Sequence, residues 1–252
     1  MRERPRGTEL LYGRNAVMEA LRGRRSLRRL FVAESSARQP RVAAMIQAAE
    51  QRRIPVRLLS QRDLAEMLPD VNHQGVALEA GPYPYVEFED LLRQAEGRPI
   101  LALDHIQDPQ NLATLMRTAE AVGVGGLLLP DRRAAGVTPA VVNASAGAVE
   151  HLCVALVANL GRALEECQEA GYWVVALEAG PEAHTLFTAD LPEPTVLVVG
   201  SEGKGIAPTL LRRADVQVAL PMQGRVESLN AAVAGSIALY ELLRRRLAAD
   251  SD

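Results

Sequence analysis

Apolar and polar positions alternate in period along the chain, and the changes of period divide it. In the first third, Leu27-Arg-Arg-Leu-Phe-Val-Ala33, Ile54–Leu59 and Gly75–Ala80 have the length and residue types of strands. Between them lie two predicted helices. Asn15–Leu21 is ended by Gly23, and a second helix runs from Pro40 to about Arg52 with Val42, Ile46 and Ala49 on one face. Ser60 is a candidate N-cap, and Asp63 completes an acidic variant of the capping box. These elements predict a small α/β unit over residues 1–80. The segment GPYPYVEF, 81–88, has no helical period, and Pro82 and Pro84 bias it towards extended backbone. With the short helix Glu89–Glu96, stopped by Gly97-Arg-Pro99, it forms a linker at 81–98.

Residues 99–252 hold a longer series. Ile100–Leu103, Gly126–Leu129, Leu152–Leu156, Trp173–Leu177, Val196–Val199 and Val216–Leu220 are short, nearly continuous apolar runs, as expected of buried parallel strands. Helical stretches at Pro109–Val122, Pro139–Asn143, Asn159–Ala170, Pro208–Arg212 and Leu229–Leu247 separate most of them. Asp108-Pro109 and Thr138-Pro139 read as N-cap and N1 pairs. The prediction is an α/β domain with a mostly parallel sheet covered on both faces, whose ligands bind where loops leave the carboxyl ends of the strands.

Charge changes this picture more than composition does. The 252 residues carry a net charge of −3, yet residues 1–80 hold 15 Arg, no Lys and 9 acids, while the remainder is strongly acidic. A basic unit on an acidic remainder suggests a module for a polyanion such as RNA. With 27 Arg against one Lys, solvated helix faces explain the same charge. Aromatic residues make up only 4%, which argues against a recognition surface built mainly from base-stacking platforms. No uncharged apolar run reaches the roughly 18 residues of a membrane span. The start, MRERPRGTELLYGRN, lacks the apolar core of a secretory signal, so the expected compartment is the cytoplasm. Cys153 and Cys167 alone supply neither a disulfide framework nor a structural zinc site, and His73, His105, His151 and His184 lack metal-ligand spacing; no metal is expected.

Familiar nucleotide and hydrolase signatures fail. Asp104-His-Ile-Gln-Asp-Pro109, after the first strand of the second series, has no glycine where a dinucleotide fold needs GxGxxG. The phosphate-loop pattern fails because residue 198 is Val, and Asn143-Ala-Ser-Ala-Gly147 lacks the first glycine of a nucleophile elbow. Three polar segments remain, each after a predicted strand. In Asp108–Ala119, Asn111 sits in the first turn of a helix and Arg117 nearly two turns on, where it reads equally as a surface cation. In Gly200-Ser-Glu-Gly-Lys-Gly205, the glycines permit close backbone approach to a ligand, or make a plain tight turn, and hold Glu202 inside it. In Leu220–Asn230, Ser228 is a candidate cap for the last helix, and Asn230 has poor propensity for a first-turn position.

Taken in order, NLATLMRTAEAVG, LVVGSEGKGIAP and LPMQGRVESLNAAVAGSIALYE resemble the three motifs of the SpoU/TrmH-type 2′-O-ribose RNA methyltransferases of the SPOUT superfamily. Ser145-Ala-Gly147, Glu150-His-Leu152 and Asn159-Leu160 match as well. Tyr12-Gly-Arg-Asn-Ala-Val-Met-Glu-Ala-Leu21 and His73-Gln-Gly-Val76 resemble the small L30e-like RNA-binding domain that many members carry. The resemblance covers roughly residues 8–247, and its nearest form is the branch that methylates a guanosine of 23S rRNA. Ala113 stands where a glycine is expected, and Ala231-Ala232 replace a more usual Val/Ser pair; these bear on subfamily more than on activity.

The resemblance implies a carboxyl-terminal trefoil knot, a homodimer, and S-adenosylmethionine as cofactor. Its pocket would use Gly200, Leu220 and Leu229, with backbone from Glu202, Met222 and Ser228. Asn111, Arg117, Glu202, Ser228 and Asn230 match the positions associated with catalysis, and ribosomal RNA is the implied partner. The alternatives are a tRNA 2′-O-methyltransferase of the same class and a non-catalytic rRNA-binding protein.

Overall fold

The computed structural model describes residues 7–132 and 134–249. In chain order the elements begin β1 (Glu9–Tyr12), α1 (Arg14–Arg22), β2 (Leu27–Ala33), α2 (Pro40–Gln51), β3 (Val56–Leu59), α3 (Gln61–Met67) and β4 (Val76–Ala80). There follow α4 (Phe88–Ala95), β5 (Ile100–Asp104), α5 (Pro109–Ala121), β6 (Gly126–Pro130), α6 (Pro139–Ala144), β7 (Val154–Val157), α7 (Leu160–Glu169) and β8 (Trp173–Leu177). The chain ends with β9 (His184–Thr185), β10 (Thr195–Gly200), α8 (Pro208–Leu211), β11 (Val216–Ala219) and α9 (Ala231–Ala249). It forms two compact units, one of the residues up to Pro84 together with Val137–His151, the other of Tyr85–Gly136 and Leu152 onward.

Local chemistry explains many of the boundaries. Ser60 Oγ accepts from Asp63 N at 3.1 Å, Asp108 from Gln110 N and Asn111 N at 3.1 and 3.3 Å, and Thr138 from Val141 N at 3.4 Å. These are three of the four caps that the sequence predicts. Asn159, expected as the first residue of a helix, instead caps α7 by accepting from Arg162 N at 3.1 Å.

The first unit is a four-stranded sheet in the order β1-β4-β2-β3, antiparallel except for the β2–β3 pair. Residues 137–151 pack within it. Asn143 Nδ2 donates to the Tyr12 carbonyl at 3.0 Å, Tyr83 Oη donates to the Val149 carbonyl at 3.0 Å, and His151 Nε2 lies 2.8 Å from Glu19 Oε2. Arg25, 1% exposed, is the largest fully buried side chain among the described residues. Its guanidinium lies over the Tyr83 ring, donates to Glu9 at 2.6 Å and forms an ion pair with Glu150 at 3.0 Å. Burial raises the Glu150 carboxyl above its ordinary range while Arg25 pulls it back down. Sequence patterning does not single out Arg25, since nothing in RGRRSLRRL distinguishes it from its neighbours.

The second unit is an α/β fold with a seven-stranded sheet in the order β7-β6-β5-β10-β8-β11-β9, every pair parallel. Strand β10, buried along its whole length, occupies the centre between β5 and β8. Leu101, Leu103, Leu112, Leu115, Leu197 and Leu239 are nearly or fully buried, as near-continuous apolar strands and the helices that cover them require. The register sets Gly200 beside Asp104, so the loops after β5 and β10 leave the same edge.

Candidate functional site

The site is built where β10 ends. Gly200 admits no side chain, because a Cβ there would run into the backbone of Gly205 and Ile206. The next residues double back, with Gly205 N donating to the Ser201 carbonyl at 2.9 Å and Ser201 N to the Gly205 carbonyl at 3.2 Å. Gly205 takes φ +63, a conformation suited to glycine. Of the two readings the sequence allows, the contacts show the tight turn, since the space beside Gly200 is filled by the turn's own backbone.

A cavity of about 270 Å³ opens beside the turn. Gly200, Glu202, Leu220, Met222, Ser228 and Leu229 all line it, so every residue expected around the cofactor falls on one wall or another. Leu177, Val199, Ala219 and Ala234 add apolar surface, and Glu178 and Glu227 add two carboxylates. Such a mixture of apolar walls and a few polar groups is typical of a small-molecule site.

At the rim, the three polar segments meet. Asn230 Nδ2 donates to Asn111 Oδ1 at 2.9 Å and to Glu202 Oε2 at 3.4 Å, while Asn111 Nδ2 lies 3.5 Å from the same Glu202 oxygen. Asn230 Oδ1 accepts from Ala232 N at 2.9 Å and Val233 N at 3.2 Å. Asn230 is thus the cap of α9, which corrects the expectation for Ser228 and moves the helix start from Leu229 to Ala231. The reason is positional: Ser228 lies three residues before the first helical residue, and it lines the cavity instead.

Arg117 stands apart from this network. It lies on α5 between buried Met116 and half-buried Thr118, its side chain is exposed, and it makes no hydrogen bond or ion pair with any described residue. Among the described residues no group of three or more His, Cys, Asp or Glu side chains is arranged to hold a metal ion. Two carboxylates escape a reading of the sequence. Asp104 and Glu178 each end an apolar run, where a polar residue carries no signal of its own, yet both bind the backbone that follows the 200–205 turn.

Comparison with known proteins places these features in a family. Residues 98–240 match the model of the SpoU rRNA methylase family, and residues 10–86 match the RNA 2′-O ribose methyltransferase substrate-binding family. A TrmH-family tRNA/rRNA methyltransferase of Bacillus subtilis, YacO, is 40% identical over 94% of this chain and 96% of its own length. A tRNA/rRNA methyltransferase of Synechocystis sp. is 41% identical over 94% of this chain, which spans 63% of that longer relative. The AdoMet-bound rRNA methyltransferase from Sinorhizobium meliloti superposes with a TM-score of 0.79 at 27% identity, covering 96% of this chain and 88% of that one.

Proposed function

The chain belongs to the SpoU rRNA methylase family of RNA methyltransferases, and from that premise we propose that it uses S-adenosylmethionine to methylate a ribose 2′-hydroxyl of RNA, specifically a guanosine of 23S rRNA. The observation that carries this reading is the joining of Asn111, Glu202 and Asn230 at the rim of the cavity, since Glu202 also lines it. Three polar segments far apart in sequence have no structural need to share one carboxylate oxygen. A non-catalytic RNA-binding protein would not require the cavity and the rim together.

The residues present fit the cofactor. The turn from Gly200 to Gly205 brings backbone to the cavity wall, and Leu177, Leu220 and Leu229 give apolar surface for a base. Bound there, S-adenosylmethionine supplies a methyl group on a positively charged sulfur. The protein's part is to align the ribose hydroxyl and to relieve it of its proton. A guanidinium holds its proton too tightly to serve as a base. Arg117 therefore grips the adjacent phosphate and stabilises the nascent alkoxide, with phosphate or water taking the proton. Its exposure and the absence of a hydrogen-bond or ion-pair partner among the described residues support this role. Asn230 and Asn111 reach Glu202 through neutral donors, and Glu202 forms no ion pair among the described residues.

The arginine-rich first unit supplies affinity for the RNA backbone. A homodimer completes the reading, supported by Val233, Tyr240 and Leu247, exposed apolar residues spaced by seven along α9. No described helix is long and apolar enough to cross a membrane. The names of the relatives in Bacillus and Synechocystis include tRNA as well as rRNA, so tRNA is the second substrate reading. Mapping 2′-O-methyl groups on both RNAs from a strain lacking the gene tests the proposal. Loss of one mark in 23S rRNA is the expected result; loss confined to tRNA transfers the activity to the second reading, and no loss in either refutes both.

A further inference from the structure

The turn that forms one wall of the cavity is held from both sides by carboxylates. Strand β10 runs between β5 and β8, and each neighbour contributes one acid at its carboxyl end. Asp104, the last residue of β5, is buried and accepts from Ala207 N through Oδ2 at 2.8 Å; its other oxygen meets His105 Nδ1. Glu178 directly follows β8, and its own backbone is fixed by donation from Glu178 N to the Val218 carbonyl at 3.0 Å. Its Oε2 accepts from Ile206 N at 2.8 Å. Two consecutive amides, 206 and 207, are thus gripped by acids from opposite flanks.

Glu178 differs from Asp104 in reaching the cavity, which it lines. It also accounts for Gly205. A Cβ at that position would meet the Glu178 carboxyl carbon at 2.8 Å, so the acid occupies the place a side chain would need. The turn from Gly200 to Gly205 folds back on itself by only two backbone hydrogen bonds, and Lys204 and Glu202 within it are exposed. Without an anchor beyond Gly205, little would fix where that wall stands. Hydrogen bonds to a charged acceptor are roughly twice as strong as neutral ones.

We propose that Glu178 is a positioning residue for the cofactor: by holding Ile206 N it sets the 200–205 turn in its binding form before any ligand arrives. The proposal rests on the cofactor reading given above. Preorganisation of this kind raises affinity by removing the cost of ordering the turn on binding, without requiring Glu178 to touch the reacting atoms.

The test uses the full chain and two probes, S-adenosylmethionine and S-adenosylhomocysteine, the product that lacks the sulfonium charge, titrated by calorimetry. Hydrogen exchange at residues 205–207 is measured in the ligand-free protein. Glu178→Ala is expected to weaken both ligands alike, by about ten-fold, and to speed exchange of the Ile206 amide by about ten-fold. Glu178→Gln retains an oxygen that can accept from Ile206 N and is expected to recover most of both losses. Wild-type exchange and affinity in the Ala variant would overturn the proposal, as would a Gln variant no better than Ala. A loss confined to the sulfonium would also overturn it, because it would mean direct charge contact and not a clamp. Wild-type protein that binds neither probe refutes the cofactor reading itself; that failure is distinguishable because protection of Ile206 is read without ligand.

Discussion

Asn230 gives the sharpest test of how stability and chemistry share one side chain. Its Oδ1 caps α9, and its Nδ2 ties Asn111 and Glu202 together. Asn230→Ala removes both functions. Loss of a cap of this type costs about 1 kcal/mol, and loss of the 2.9 Å bond to half-buried Asn111 about 1 kcal/mol more. The bond to Glu202 is long and exposed, so it adds little. The expected loss is about 2 kcal/mol in urea unfolding at constant m-value. Asn230→Asp separates the two functions. A carboxylate still caps the helix and gains a few tenths of a kcal/mol from the helix dipole, but it brings a second negative charge to Glu202 and donates nothing. This variant should unfold within about 1 kcal/mol of wild type, while methyl transfer to RNA falls as far as in Asn230→Ala. An Asp variant as unstable as Ala would refute the assignment of stability to the cap. Full methylation by a folded Asp variant would refute the role of the rim network.

Four other outcomes follow from the same geometry. Gly200→Ala should abolish detectable S-adenosylmethionine binding by calorimetry in a folded protein, since even one methyl group collides with the Gly205 and Ile206 backbone; retained affinity would remove this turn from the pocket. Arg117→Ala should lower methylation on the order of 100- to 1,000-fold with cofactor affinity unchanged, and Arg117→Lys should rescue little because a point charge cannot replace a planar fork; normal rates in both would return Arg117 to a solvated surface residue. Arg29 and Arg57 are both exposed, and Arg57 pairs in register with Phe31, the residue over which Arg29 lies, so replacing both with Ala should flatten the salt dependence of RNA binding by about 0.7–0.9 in log–log slope for each phosphate no longer neutralised; an unchanged slope would exclude this end of the sheet from the RNA surface. Glu241, bonded to Arg244 and Arg245 and only 6% exposed, has its carboxyl lowered from 4.5 to about 2, so its stabilisation is complete above pH 4.5 and is lost as pH falls towards 2. The full shift corresponds to roughly 3 kcal/mol, which screening at the 63% exposed Arg244 side chain reduces to about 1–2 kcal/mol; a Glu241→Gln variant whose deficit does not shrink between pH 5 and pH 2 would contradict this.

What the sequence reveals of this fold follows the range of the interactions involved. Ser60, Asp108 and Thr138 are legible as caps because donor and acceptor lie within three residues. Strand β1 is not, because four residues, ELLY, show no alternation and become a strand only by pairing with β4, almost seventy residues away. Helix α6 is predictable nearly to the residue, but its packing in the first unit depends on Asn143 reaching Tyr12 and on Glu150 in the turn beyond it reaching Arg25, which no local pattern announces. The same limit applies to the site. Apolar runs mark six strands of the second unit but not their order, and it is the place of β10 between β5 and β8 that lets Asp104 and Glu178 grip one loop. Asn230 stands between these cases. Its poor helix propensity is visible in the sequence, and half of the explanation is local, since its oxygen caps the amides two and three residues on. The other half spans 119 residues to Asn111. A serine at 230 could accept from those amides equally well, but its hydroxyl has one hydrogen to donate where the amide has two. The structure uses both amide-nitrogen contacts, to Asn111 and to Glu202, and that is the physical reason for an asparagine at this position.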